Sequence, residues 1–269
     1  MKNIRLLTAS LLALAGIIPA SASASVVANS GDLILGFRTN DNAIAEDLEV
    51  DLGNFSNFTN LAPGTVLNLN LNGSYYGSAG GLSASDLSTT FGTSWDTLTD
   101  IVWSVAGQNN PSGATSVDLY ATFTPANGAN VNQAIGTTQN NPASRLRTEL
   151  GALNGQASLA SPEAAEIASL SSSQSNYSGA IRGTGATTKD YGYFIPTTEA
   201  LYSSSSSSSL DLFQLSHTGP GTPGTDLGTF TLDSAGDLTF STPVPEPSTY
   251  AAVALGGAML FFARRRRTA

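Results

Sequence analysis

The chain has 269 residues and a formal net charge of −9, from 20 acidic and 11 basic residues. This length accommodates one sizeable domain with a packed core. Cysteine is absent, which excludes disulfides and thiol catalysis, and the acidic balance argues against nucleic acid as a partner.

The N-terminus predicts a secretory signal peptide over residues 1–24. It has a positively charged start, an apolar stretch and small residues at the cleavage site: Lys2, Arg5, residues 6–18, Ala22 and Ala24. We expect signal peptidase to cleave after Ala24 and to leave Ser25 as the new N-terminus, with cleavage after Ala22 as the near alternative. The chain is thus expected to cross the inner membrane through the secretion translocon.

The expected extracytoplasmic domain, residues 25–243, is more acidic than the whole chain. It holds five basic and nineteen acidic residues, so its net charge is about −14. Such a surface favours solubility, and divalent cations or a cationic polymer are the partners that its charge permits.

Period-two hydrophobic patterns predict a mainly β fold for this domain. In residues 65–72 leucine and asparagine alternate strictly, which places leucine on one face of a strand and amides on the other. Further strands are predicted at residues 33–37, 48–52, 101–105, 117–123, 191–195, 210–215, 230–232 and 238–240. Roughly nine short strands between Gly, Asn, Ser and Pro clusters favour an antiparallel β-sandwich, jelly-roll-like. Its first and last strands are expected to pair.

Two short helices are predicted within this β pattern. Asn141-Pro142 and Ser161-Pro162 each place a capping residue before a proline at the first helical position. These pairs predict helices over residues 143–150 and 163–170. A weaker helical turn is expected at residues 86–91. The serine run at residues 203–209 is expected to be an exposed, flexible loop, with sugar attachment as the alternative.

The end of the domain reads as a closing β-hairpin over residues 228–240. Gly236 supplies the positive φ that its tight loop needs.

Residues 244–269 predict a sorting tail in three parts. These are a proline-containing motif over residues 244–248, a transmembrane helix over residues 248–263 and a basic stop over residues 264–267. The motif residues are Val244, Pro245, Glu246, Pro247 and Ser248, and the stop residues are Arg264, Arg265, Arg266 and Arg267. The two prolines hold Glu246 in an extended segment that a protease groove can accept as an added strand. The helix spans roughly 24 Å, somewhat short of a hydrocarbon core of about 30 Å.

This tail resembles the PEP-CTERM sorting signal of Gram-negative bacteria. The resemblance implies processing by exosortase near Pro245-Glu246-Pro247, loss of the membrane helix, and delivery to the cell surface or extracellular matrix. It also implies a setting of exopolysaccharide or biofilm. The opening strand and the closing hairpin are similar to those of many PEP-CTERM ectodomains. An ordinary single-pass anchor remains the alternative interpretation of the tail.

The sequence offers little that indicates catalysis. His217 is the one histidine, and no G-x-S-x-G motif accompanies it. A zinc site could draw on one imidazole at most and on no thiolate. Asp47, Glu49 and Asp51 alternate along one predicted strand, so they share a face, which we expect to be solvated. We therefore expect no enzymatic activity and no cofactor, with an extracellular hydrolase as an alternative.

The sequence allows two possible binding sites, one for calcium and one for carbohydrate. Calcium is one, because oxygen ligands cluster before the second strand and in the closing hairpin: Asn40, Asp41, Asn42, Glu46 and Asp47, then Asp233 and Asp237. Turn formation by the same side chains is the competing interpretation. A carbohydrate-binding platform of Trp95, Trp103, Tyr75 and Tyr76 is the other, against burial of the tryptophans in the core. The function we expect is a structural or adhesive role in the matrix, and a carbohydrate-binding module is the first alternative.

Overall fold

The computed structural model describes residues 25–40, 46–69, 84–109, 117–125, 146–147, 150–159, 164–168, 177, 198–216 and 223–244. Ten strands lie in these ranges: β1 Asp32–Thr39, β2 Glu46–Asn54, β3 Val66–Asn68, β4 Ile101–Asn109, β5 Asp118–Phe123, β6 Ala164–Ala168, β7 Ala200–Leu201, β8 Ser208–Leu215, β9 Thr225–Leu232 and β10 Leu238–Ser241. The short helices are α1 Ser56–Thr59, α2 Ala84–Phe91 and a 3-10 turn at Trp95–Thr97. Residues 146, 147 and 150–153 are also helical.

The strands join into one antiparallel sheet. Their order is β3-β10-β9-β8-β5-β4-β1-β2-β6, and β7 pairs with β4 beside this path. Strand β4 changes its partner along its length. It pairs with β7 through Val102 and Trp103 and with β5 from Ala106 onward. Between these two pairings, the Thr122 hydroxyl forms hydrogen bonds with both the N–H and the C=O of Val105. A side chain thus replaces the missing strand partner.

The sheet curls around a common apolar core. One buried cluster takes side chains from β1, β2 and β4 and also from β8, β9 and β10, which lie far apart in the strand order. Its members include Leu33, Leu35, Phe37, Trp103, Leu212, Phe230 and Phe240. Phe58 of α1 lies 5.6 Å from Phe230 and 5.2 Å from Phe240 between ring centroids, and aromatic pairs at such distances stabilise each other. We call the face toward this cluster the inner face of the sheet, and the opposite one the outer face.

The closing hairpin and the weak helical turn are confirmed. Strands β9 and β10 pair with Leu238 opposite Leu232, and Gly236 has φ +88° in the loop between them. The helical turn expected at residues 86–91 is the larger part of α2, and Gly92 with φ +87° follows its last residue.

The sequence-based fold prediction is confirmed in its coarse form. The fold is mainly β and antiparallel with few helices. The two-sheet, jelly-roll-like sandwich is not confirmed, because the described strands belong to a single curled sheet. The strand expected at residues 191–195 lies outside the described residues. The serine run begins as a turn, but Ser208 and Ser209 already belong to β8.

The first predicted helix, over residues 143–150, is confirmed at the residues that the structure describes, and helical residues continue to residue 153. The second, over residues 163–170, is wrong. Residues Ala164–Ala168 form β6, which pairs with β2 from Glu46 opposite Ala168 to Val50 opposite Ala164. Alanine and glutamate favour helix locally, but backbone pairing along the edge of β2 outweighs this weak preference.

The expected pairing of the first and last strands is also wrong. Strand β1 lies between β4 and β2, whereas β10 lies between β9 and β3. The two strands therefore contribute to the same core from different parts of the curled sheet. Among the described residues no helix has both the length and the apolar character needed to cross a bilayer. The predicted transmembrane helix at residues 248–263 lies outside the described residues.

Candidate functional site

The C-terminal edge of the domain is the place where the predicted sorting tail begins. Strand β10 pairs with the edge strand β3, with Ser241 opposite Val66. Thr242 follows and is held by three hydrogen bonds of good length. Its N–H donates to the Thr65 carbonyl at 3.0 Å, its hydroxyl accepts from the Thr65 N–H at 2.9 Å, and the same hydroxyl donates to the Ala62 carbonyl at 2.8 Å.

Beyond Thr242 the chain becomes exposed, although the Val244 side chain still lies beside Gly64, where an added Cβ would be 3.5 Å from it. Thr242 is 8 % exposed and Val244 is 68 % exposed. Of the predicted motif the structure describes Val244 alone. Pro245, Glu246, Pro247 and Ser248, and the four arginines Arg264, Arg265, Arg266 and Arg267, lie outside the described residues.

The N-terminal end is also tied to the fold at its first described residues. Ser25, the expected new N-terminus, forms an isolated bridge with Ala157. Val26 is fully buried and exchanges backbone hydrogen bonds with Gln156 at 3.0 Å and Gly155 at 2.9 Å. Ala22 and Ala24 lie outside the described residues, so cleavage there stays a prediction.

A buried polar layer covers the outer face of β1, β2 and β4. We define it by Arg38, Glu49, Ser104, Tyr177 and Glu199, all of which are buried. In the strand register, Gly36 lies between Glu49 on one side and Ser104 on the other. Tyr177 lies across this row. Its N–H donates to the Glu49 carboxylate at 2.7 Å, and its hydroxyl is 2.6 Å from that of Ser104.

Glycine at position 36 makes room for this arrangement. A Cβ at that position would lie 2.1 Å from the nearest atom of the Tyr177 ring. Any residue with a side chain would displace the ring from this position.

A buried ion pair completes the polar layer. The Arg38 guanidinium donates to both carboxylate oxygens of Glu199, with Nε to Oε1 at 2.8 Å. Burial alone would lower the pKa of Arg38, but the charge and hydrogen bonds of Glu199, together with the charges of Tyr177 and Asp47, outweigh it, so the pKa is raised. The Tyr177 hydroxyl also donates to Glu199 at 3.3 Å. The layer thus ties three strands to two segments that are distant in sequence.

The expectation of a solvated face for Asp47, Glu49 and Asp51 is wrong. Asp47 and Glu49 are fully buried and Asp51 is 8 % exposed. Asp51 accepts a hydrogen bond from the Gly53 N–H at 2.7 Å, and Glu49 holds Tyr177. These contacts make both carboxylates structural, because each fixes a backbone N–H of the fold.

The closing hairpin follows the turn interpretation of its aspartates. One carboxylate oxygen of Asp233 accepts from the N–H groups of Ala235 and Asp237, both at 2.8 Å, as expected when an aspartate caps its own turn. In the other cluster, Glu46 is exposed and Asp47 buried, on opposite faces of β2. Asp41 and Asn42 lie outside the described residues. The described residues contain no group of three side chains placed to hold a metal ion.

Both tryptophans are buried in the core. Trp103 is fully buried and donates its indole N–H to the Ser208 hydroxyl at 2.9 Å. Trp95 packs on Tyr202 with ring centroids 5.1 Å apart. Burial of the tryptophans is therefore confirmed. Tyr75, Tyr76 and His217 lie outside the described residues.

The sequence did not predict the polar layer or the hydrogen bonds that fix Thr242 to Ala62 and Thr65. Arg38 and Glu199 are 161 positions apart, and no local pattern connects them. A signal did exist at Arg38, because an arginine in an apolar strand requires a buried partner or an exposed end. Thr242 carried no signal, since threonine suits any strand end.

Comparison with known families gives one match. The family model of the PEP-CTERM protein-sorting motif matches residues 243–267. The match begins at the residue after Thr242 and includes the predicted motif, helix and arginines. Neither the comparison with curated proteins nor the one with solved structures finds a match. The motif indicates an exported protein that exosortase sorts to the cell surface.

Proposed function

We propose that this chain, which carries a PEP-CTERM protein-sorting motif, is a structural or adhesive component of exopolysaccharide or biofilm material. The motif match at residues 243–267 carries the proposal, because it assigns the chain to exosortase sorting and to the cell surface. Processing near Pro245-Glu246-Pro247 would remove the membrane helix after a transient stage in the inner membrane. The domain would then reach the matrix without its anchor.

The described domain has properties that suit a passive extracellular module. It consists of a single curled sheet around an apolar core, and hydrogen bonds join the strands along the whole strand order. It needs no disulfide, since the chain has no cysteine. Its net charge, about −14 for residues 25–243, would keep it soluble and would attract divalent cations and cationic polymers.

The polar layer supports a non-catalytic role. Arg38, Tyr177 and Glu199 are each less than one tenth exposed, so a polymer substrate cannot reach them without opening of the fold. A carboxylate pair for hydrolysis would have to lie in an open cleft on both sides of the scissile bond. We infer that the layer fixes the fold and takes no part in chemistry.

The sequence leaves two other functions as alternatives. A carbohydrate-binding platform would need exposed aromatic faces, and Trp95 and Trp103 pack in the core. An extracellular hydrolase would need accessible carboxylates, and Glu49 and Glu199 are buried and hydrogen-bonded. Neither alternative gains an observation in its favour from the described residues.

The proposal is tested with the full chain and a chain that ends at Val244, each expressed in the producing bacterium after deletion of its own copy. The measured quantity is the fraction of domain retained in washed exopolysaccharide. We expect the full chain in the washed exopolysaccharide and little of the shortened chain there, because exosortase cannot sort a chain that lacks the motif. Equal retention of both would favour glycan binding by the domain itself. Retention of neither would contradict a matrix role.

A further inference from the structure

Among the described residues, Thr242 is the last one with a hydrogen bond to the rest of the fold, and it lies three residues before Pro245 of the sorting motif. Thr242 has its backbone and its hydroxyl engaged with Ala62 and Thr65. Two residues, Pro243 and Val244, separate it from Pro245. An extended chain covers at most about 3.6 Å per residue, so Pro245 begins within roughly 11 Å of the domain.

A groove that takes up its substrate as an added strand needs free backbone before the cleaved bond. Proteolytic enzymes bind substrates as an extended strand whose backbone groups pair with the groove, including residues before the cleaved bond. In this chain the residues before the motif are Pro243 and Thr242. The backbone and hydroxyl groups of Thr242 are already bonded to the turn at residues 62–65.

We propose that exosortase can process this chain only after Thr242 has detached from the Ala62–Thr65 turn, so that folding of this edge limits the processing rate. The inference rests on the proposed processing of the tail near Pro245-Glu246-Pro247. Local opening of an edge is a rapid equilibrium in folded proteins. The enzyme would capture the open form, and the rate would follow the fraction of chains that are open.

The architecture confines this opening to a few residues. Strand β3 spans only Val66–Asn68 and lies at the end of the sheet order, where few hydrogen bonds hold it. Val66 is exposed, so detaching the chain beside it exposes little of the core. Phe240, two residues before Thr242, is fully buried against Phe58 and Phe230. Detachment can therefore reach Ser241, but further opening would cost core burial.

Two changes of the full chain in the producing bacterium test the proposal. Thr242→Val removes the hydroxyl and both of its strong hydrogen bonds while keeping the side-chain shape. A six-residue Gly-Ser insertion between Thr242 and Pro243 leaves those bonds intact and moves the motif away. Thr239→Val is the matched control, because it lies on the same strand and its hydroxyl makes only a 3.4 Å contact with the Thr231 carbonyl.

The measured quantity is the half-time for appearance of the processed C-terminus, followed by pulse labelling and mass spectrometry. We expect processing about tenfold faster for Thr242→Val and for the insertion, where tenfold corresponds to about 1.4 kcal/mol. Thr239→Val should keep the wild-type rate. Wild-type rates in both test variants, or a faster rate in only one of them, would overturn the inference. Absence of any processed chain, including wild type, would instead overturn the proposed function.

Discussion

The inner and outer faces of strands β1 and β2 are both buried, but their side chains differ in kind. On the inner face, Leu35 and Phe37 pack into the apolar core. On the outer face, Arg38, Asp47 and Glu49 are buried to the same degree. Their environment is polar: the Tyr177 N–H donates to Glu49, and Arg38 donates to Glu199. Alternation of apolar and polar residues therefore distinguishes the two faces, but it does not show which of them water reaches.

The two faces should respond differently to mutation. When apolar side chains in the core are shortened, the free energy of unfolding falls in proportion to the atoms removed. When one partner of a buried ion pair is removed, the free energy of unfolding falls sharply, because the other charge stays buried without its partner. The predictions that follow compare the two faces by the free energy of unfolding of the folded domain.

The largest loss on the inner face is expected for Phe230→Ala. The ring lies against Phe58 and Phe240, at centroid distances of 5.6 and 4.7 Å. Removal should cost about 3–5 kcal/mol, as for other buried aromatic residues. Denaturant unfolding gives the value, and Phe230→Leu should recover part of it. A loss below about 1 kcal/mol would contradict the position of this ring in the core.

A loss of similar size is expected on the outer face for Arg38→Met. The change leaves Glu199 buried without its cation, which should cost about 3–5 kcal/mol. The double variant Arg38→Met with Glu199→Leu should regain most of this loss, because no buried charge then remains. Arg147→Met is the control, since Arg147 is exposed. If the double variant were no more stable than the single one, the ion pair would not be the cause.

A smaller loss is expected for Gly36→Ala, also on the outer face. The added methyl group would lie 2.1 Å from the Tyr177 ring, so the ring must move and the N–H bond to Glu49 must weaken. Overpacking of this kind costs about 1–3 kcal/mol. Gly151→Ala is the matched control. Gly151 is helical and exposed with open space around it, so this change should raise stability by about 0.5–1 kcal/mol.

The smallest effect at neutral pH is expected for Tyr120→Phe on the inner face. Burial raises the pKa of Tyr120 above its ordinary value, and the charge of Asp118 adds to the effect. The folded chain therefore keeps a proton that the unfolded chain loses above pH of about 10, so wild-type stability should fall as the pH rises past that value.

Tyr120→Phe should reduce this alkaline loss. Tyr202 has a raised pKa, from burial and from the charges of Asp96 and Asp233, and should retain its own share. Thermal unfolding between pH 7 and 11 measures the difference. Identical alkaline slopes for the variant and the wild type would contradict the assignment to Tyr120.

The strands were largely predictable from the sequence because each carries its own signal. Alternating leucines and phenylalanines place β1, β9 and β10, and Gly236 marks the hairpin loop. These patterns reflect local geometry, since alternate side chains of a strand point to opposite faces.

Pairing over long distances was not predictable in this way. Helix-favouring residues gave no sign that β6 completes the edge of β2. The outer face of β2 was expected to be solvated because the segments that cover it are remote in sequence, such as Tyr177 and Glu199. The sorting tail was predictable from its motif, whereas the hold on Thr242 depends on the turn at residues 62–65, which lies 177 residues earlier.

The central claim is that exosortase processes the tail and releases the domain from the membrane. The most direct measurement is the intact mass and the C-terminal peptide of the native protein, recovered separately from membrane and from culture medium. A chain that begins at Ser25 and ends at or near Pro245 to Pro247, found in the medium or matrix, is the predicted result. A chain that still ends in Arg267-Thr268-Ala269 and stays entirely in the membrane would contradict it and make the tail a permanent anchor.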